Sequence, residues 1–174
     1  MDLSVFYQRL IGPPAPWRVC RVEVDEAGHR VDVWLEHAAG SRFDCPACGA
    51  SLPVYDHTPE RTWRHLDTCE YQTWLHAALP RVACPKDGTR QARAPLSDGS
   101  SRVTRALERR CIAVLQECSR EGAARLTALS WDELDRLMHV AVERGLERRG
   151  PVLPCRLGID EKAVFKRHRY ATII

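Results

Sequence analysis

The sequence predicts an α+β fold: a small β module of zinc-ribbon type, then a three-helix segment, then the first hairpin of a further sheet. Three observations carry this prediction. Cys45-Pro46-Ala47-Cys48-Gly49 and Cys84-Pro85-Lys86-Asp87-Gly88 are matching turn sequences on either side of a mostly polar stretch. Residues 17–83 contain runs that alternate apolar and polar, the period of a half-buried strand. Beyond residue 100 the apolar residues recur every three or four positions instead, the period of a helix face.

Leu3 to Ile11 reads as a short helix, ended by Gly12 and by Pro13, Pro14 and Pro16. Val19 to Val24 and Val31 to Leu35 alternate around a turn at Ala27-Gly28, which predicts a β-hairpin. Residues 1–40 are thus expected to form an N-terminal helix and hairpin, and residues 41–92 the metal-binding module. Within that module Tyr71 to Ala83 is the clearest strand, with Trp63 on the strand opposite. A small sheet of this kind has little core, so metal binding is expected to supply much of its folding free energy.

Two cysteines two residues apart direct both sulfurs at one ion only where the chain turns sharply, and Pro46 and Gly49 provide that turn. Zinc takes four ligands at tetrahedral angles. Cys45, Cys48 and Cys84 supply three, and the fourth position in the second turn is Asp87. Carboxylates are less common than Cys or His in structural zinc sites. His57, His65, Cys69 and His76 lie between the turns as alternatives.

Arg90 to Ser100 is polar and turn-rich, the composition of a linker. A first helix is expected after Ser100 or Ser101 as N-cap, with Val103, Leu107, Cys111, Val114 and Cys118 on its inner face. Ser119 caps a short second helix that ends near Leu129. Ser130-Trp131-Asp132-Glu133 has the form of a capping box and opens a third helix, with Leu134, Met138, Ala141 and Leu146 facing inward. Residues 93–150 therefore have the order of a helix-turn-helix, whose last helix reads the major groove. Asp132, Asp135, Arg136, His139 and Glu143 would face outward, and Arg125, Ser130 and Trp131 flank the turn. A plain three-helix bundle has the same periodicity.

Gly150, Pro151 and Pro154 break the helix. Residues 151–174 then read as a hairpin: an apolar run ending at Asp160, a basic turn, and a β-prone run from Tyr170 to Ile174. A carboxylate ending a buried strand is a candidate Mg2+ ligand.

The charge is uneven. Residues 1–89 hold 9 Lys and Arg against 12 Asp and Glu, whereas residues 90–174 hold 17 against 11, so contacts to phosphate are expected in the second half. No run approaches the ~20 apolar residues of a membrane span. No signal peptide opens the chain, so a cytoplasmic, nucleoid-associated location is expected. In a reducing compartment the eight cysteines point to metal binding and buried thiols rather than disulfides.

Together CPACG with LPRVACPKDG, the helical segment LTALSWDELDRLMHVAVERGL and the ending LGIDEKAVFKRHRYATII resemble the N-terminal part of ISL-three family insertion-sequence transposases. The resemblance implies a zinc module and a helix-turn-helix that bind the terminal inverted repeats of the element as double-stranded DNA. It also implies a ribonuclease-H-like DDE domain that cuts and joins strands with Mg2+. Cys45, Cys48 and Cys84 match the family's zinc ligands, Asp87 stands where the family usually has histidine, and Asp160 matches the first acid of the triad. The second Asp and final Glu have no counterpart in this sequence, so DNA binding without cleavage is expected. Partners on this reading are DNA ends and a second copy or an intact transposase; a free-standing regulator of transposition is the alternative.

Overall fold

The computed structural model describes residues 2–99 and 101–150, and the backbone strands 160–165 and 169–173. Helix α1 spans Leu3–Ile11; the Asp2 carboxylate accepts from the Ser4 amide at its start, and Gly12 closes it in the left-handed conformation. It buries Tyr7 and is tied to the next strand where the Val19 amide donates to Gln8 Oε1 at 2.7 Å.

Strands β1 (Trp17–Asp25) and β2 (Arg30–His37) form the expected antiparallel hairpin. β3 (Arg42–Asp44), β4 (Ser51–Arg64), β5 (Gln72–Cys84) and β6 (Gly88–Gln91) follow. β2 pairs with β5 in parallel, giving a six-stranded sheet in the order β1-β2-β5-β4-β3 with β6 also on β5. The hairpin before residue 41 and the ribbon strands after it therefore share one core. That core is larger than a small stapled sheet: it runs from Tyr7 and Trp17 through Val33, Leu75, Leu79 and Val82, the last four at 0–1% exposure. β5 is central and largely buried on both faces, which explains its near-continuous apolar run.

Residues 90–99 are not the expected linker. Gly88–Gln91 is a strand, the Ala92 amide donates to the Pro80 carbonyl at 2.9 Å, and Ala92 and Ser97 are buried. Ala92 ties the segment to the sheet, and its other polar groups find partners in the residues that follow it. Ser97 Oγ donates to the Val103 carbonyl at 2.9 Å, and the Arg105 guanidinium donates to Asp98 and to the Pro95 carbonyl, each at 2.8 Å.

Helix α2 spans Arg105–Glu117, and its N-cap is Thr104 rather than Ser100 or Ser101, with Thr104 Oγ1 accepting from the Leu107 amide. Sheet pairing overrides the earlier caps: Val103 bridges Arg64, and the Thr104 amide donates to the Arg64 carbonyl at 2.9 Å. α3 (Arg120–Thr127) starts at Ser119 as expected, and α4 spans Trp131–Arg148. A second core joins Val103, Leu107, Cys111 and Val114 to Ala123, Leu129, Leu134 and Leu137. Leu137 is buried where Leu146 was expected to be, and Leu146 is 58% exposed.

By packing, Met1–Leu137 is one compact unit and Met138–Ile174 a second. In the second, β7 (Asp160–Phe165) and β8 (Arg169–Ile173) pair antiparallel, Asp160 opposite Ile173. No helix among the described residues is long and apolar enough to cross a membrane.

Candidate metal centre

The first knuckle follows β3. Its turn closes when the Gly49 amide donates to the Cys45 carbonyl and the Cys45 amide to Ala50, both at 2.8 Å. The second follows β5, where Cys84 pairs with Gly88 across the turn. Gly49 and Gly88 take φ of 76° and 73°, a left-handed conformation open to glycine at little cost.

These turns bring one ligand atom each from Cys45, Cys48, Cys84 and Asp87 within 4.8 Å of one another. Cys48 Sγ lies 3.5 Å from Cys84 Sγ, while Asp87 Oδ2 lies 3.4 Å from Cys45 Sγ and 3.2 Å from Cys84 Sγ. Around a tetrahedral zinc, two sulfurs stand ~3.8 Å apart and a sulfur and an oxygen ~3.5 Å apart. The four residues thus fit the ion in donor type and spacing. His65 and His76 hydrogen-bond elsewhere, to Thr104 and to Asp32 and Glu60, so Asp87 fills the fourth position.

Electrostatics favour the same occupant. The Cys48 and Ala47 amides point at the Cys45 sulfur and hold its thiol below the ordinary cysteine value. The Ala50 amide acts likewise on Cys48, but contacts with Asp87, Cys84 and Cys45 outweigh it and push that thiol up to about 12. Thiol hydrogen bonds from Cys48 and Cys84 keep the Asp87 carboxyl below the usual carboxylate range. Three sulfurs and a carboxylate this close cannot all carry charge without a cation, and a divalent ion takes the place of the shared protons. The centre is structural: it cross-links the tips of the β3-β4 and β5-β6 hairpins.

On the helices, Ser130 Oγ and its amide both bond Glu133, which returns its own amide to Ser130 Oγ. Ser130 is therefore spent on the capping box. Trp131 is half exposed, with the Arg120 guanidinium 5.0 Å over its ring. The same arginine pairs with Asp135 at 2.9 Å. Arg120 was not foreseen from sequence, since it joins this face only through the turn between α3 and α4. Arg125, Asp132 and Arg136 are exposed, and His139 lies 3.7 Å from Glu143 on the following turn. Asp132 and Glu133 occupy the first turn of α4, where acids complement the helix dipole. Asp160 opens β7, and its side chain lies outside the described residues.

Comparison with known proteins agrees with this geometry. Residues 41–87 match the family model described as the zinc-finger of transposase IS204/IS1001/IS1096/IS1165. The chain is 28% identical over 151 residues to the transposase for insertion sequence element IS1001 of Bordetella parapertussis, covering 86% of this chain and 37% of that protein. It is 27% identical over 158 residues to the transposase for insertion sequence element IS1557 of Mycobacterium tuberculosis, covering 87% of this chain and 35% of that protein. The chain thus spans little more than a third of the length of these relatives. No solved structure matches it.

Proposed function

We propose, from the likeness to ISL-three transposases that runs through the zinc ribbon and 86–87% of the chain, that this protein acts in DNA transposition by binding the ends of its element. The observation that carries the reading is the Cys45, Cys48, Cys84 and Asp87 cluster, which lies within the matched transposase zinc-finger. In this role zinc fixes the ribbon's shape and takes no part in chemistry.

The helices supply the base-reading element. α3, a turn with Ala128 in the left-handed conformation and Leu129 buried, and the capped α4 follow the order of a helix-turn-helix. Arg125, Trp131, Asp132, Asp135, Arg136 and His139 would meet duplex DNA, with arginine suited to guanine and phosphate and aspartate to the cytosine amino group. The hairpin β7-β8 would be the start of a DDE domain, with Asp160 a Mg2+ ligand once the other acids join it; two-metal phosphoryl transfer needs carboxylates from several strands.

Binding to a duplex bearing the element's terminal inverted repeat, compared with a scrambled duplex of equal length, tests this reading. Affinity should fall linearly with salt on a logarithmic scale, and the repeat should bind ~10³-fold tighter or better. Equal affinity for both duplexes would refute end recognition.

A further inference from the structure

We infer that Arg120 reads the edge of a guanine, held for that contact by Trp131 and Asp135, a role that rests on the helix-turn-helix reading above and adds to it a residue outside α4. Arg120 is the first residue of α3, and Trp131 the first of α4. The Arg120 guanidinium lies over the Trp131 ring, 5.0 Å from its centroid, and Nη1 donates to Asp135 Oδ1 at 2.9 Å. One side chain thus crosses from α3 to the opening turns of α4, the part of such a helix that meets base edges.

Packing does not account for this cluster. Arg120, Asp135 and Trp131 remain 44%, 54% and 49% exposed. An ion pair so exposed contributes little to stability. α3 and α4 are already joined through the buried Ala123, Leu129, Leu134 and Leu137. Holding a long arginine in one place at the surface costs side-chain entropy, and an ordered guanidinium is what base reading requires.

Charge selects a base over a phosphate. Asp135 offsets the guanidinium's charge and sets a carboxylate beside it, which repels any phosphate that approaches the pair. Hydrogen-bond donors, by contrast, remain: Asp135 engages one N–H, and among the described residues the Arg120 side chain makes no other hydrogen bond. Two N–H groups of one planar guanidinium match N7 and O6 of guanine, the commonest specific arginine contact in the major groove. The Trp131 face fixes the guanidinium plane and Asp135 its rotation, the two variables on which a bidentate contact depends. Asp135 is on this account a positioning residue that acts through Arg120.

Selection of duplexes from a random-sequence pool tests the assignment, with zinc-loaded wild type, Arg120→Lys, Asp135→Ala and the double variant. Sites selected by wild type should share a guanine that Arg120→Lys no longer requires, because lysine cannot form the planar pair. Exchanging that guanine for 7-deazaguanine, which lacks the N7 acceptor, should weaken wild type ~10-fold and leave Arg120→Lys unchanged. Asp135→Ala should weaken binding to the selected site and add nothing in the Arg120→Lys background. Selection of the same guanine by wild type and Arg120→Lys, or of no common sequence, would overturn the assignment. So would a loss by Arg120→Lys that is equal on selected and random duplexes, or no loss at all, the marks of a phosphate contact. Unchanged or tighter binding by Asp135→Ala would mean an acid that does not position Arg120, and a urea midpoint well below wild type in the variants would mean a packing role; either overturns it. End recognition fails separately, where the selected site is absent from the element's ends.

Discussion

Leu79 in β5 and Leu134 in α4 are equally buried, at 0% and 1% exposure, but what buries them differs. β5 is enclosed by β2, β4 and β6, so its core is assembled from segments spread over residues 30–91. Leu134 sits among Val103, Leu107, Cys111, Val114, Ala123, Leu129 and Leu137, all within about one helical segment of their neighbours in the chain. Long-range pairing incurs loop-closure entropy before any contact forms, and a metal that joins two hairpin tips offsets part of it. The helices need no such cross-link, because caps and short turns already hold their ends. The sheet should accordingly respond to the metal, the helices to their caps, and the joint between them to pH.

The largest effect should come from zinc. Structural zinc contributes ~10 kcal/mol or more in small zinc-finger peptides, and here the sheet core carries part of that load. Cys48→Ser should lower bound zinc well below one per chain, while Cys118→Ser, on α2's C-cap, should leave it unchanged. Amide exchange should then show the knuckles, β3 and β6 losing protection while α2 keeps it. Uniform loss across sheet and helices would break the distinction between the regions.

An intermediate effect is expected at the joint. His65 Nδ1 lies 2.8 Å from Thr104 Oγ1, and burial, aided by the neighbouring Arg64 charge, lowers its pKa from 6.5 to about 4. The unfolded imidazole takes up a proton in that window and the folded one does not. The stability that neutral His65 contributes is thus complete above pH 6.5 and is lost as pH falls toward 4. Thermal melts of wild type and His65→Gln across this range should converge at the acid end; parallel curves would remove His65 from the joint.

The smallest effect sharpens the helical side. Ser130→Ala removes the capping box of α4 and should cost about 1 kcal/mol, read as a lower urea midpoint, with zinc content unchanged. A loss of zinc in this variant would mean that the two regions are not separable in this way.

Much of the local structure was legible in advance. The ends of α1, the β1-β2 turn, the Ser119 cap and the Ser130 capping box each depend on a few adjacent residues. Metal ligation was legible for the same reason at Cys45 and Cys48. Asp87 was named by its place in the second knuckle, with four other side chains competing. Only the folded chain separates them, by committing His65 and His76 to other partners.

What the sequence settled by itself is whatever the chain encodes within a turn or two: strand alternation, helix faces, caps and the cysteine knuckles. Tertiary structure alone decided the parallel pairing of β2 with β5, the docking of residues 90–99 that a polar composition had marked as linker, and the meeting of His37 with His57. The strand pairing sets Arg30 opposite Gln72 and the two histidines stand 20 positions apart, so their free energy depends on which surfaces the rest of the fold brings together. Local propensity carries no record of that.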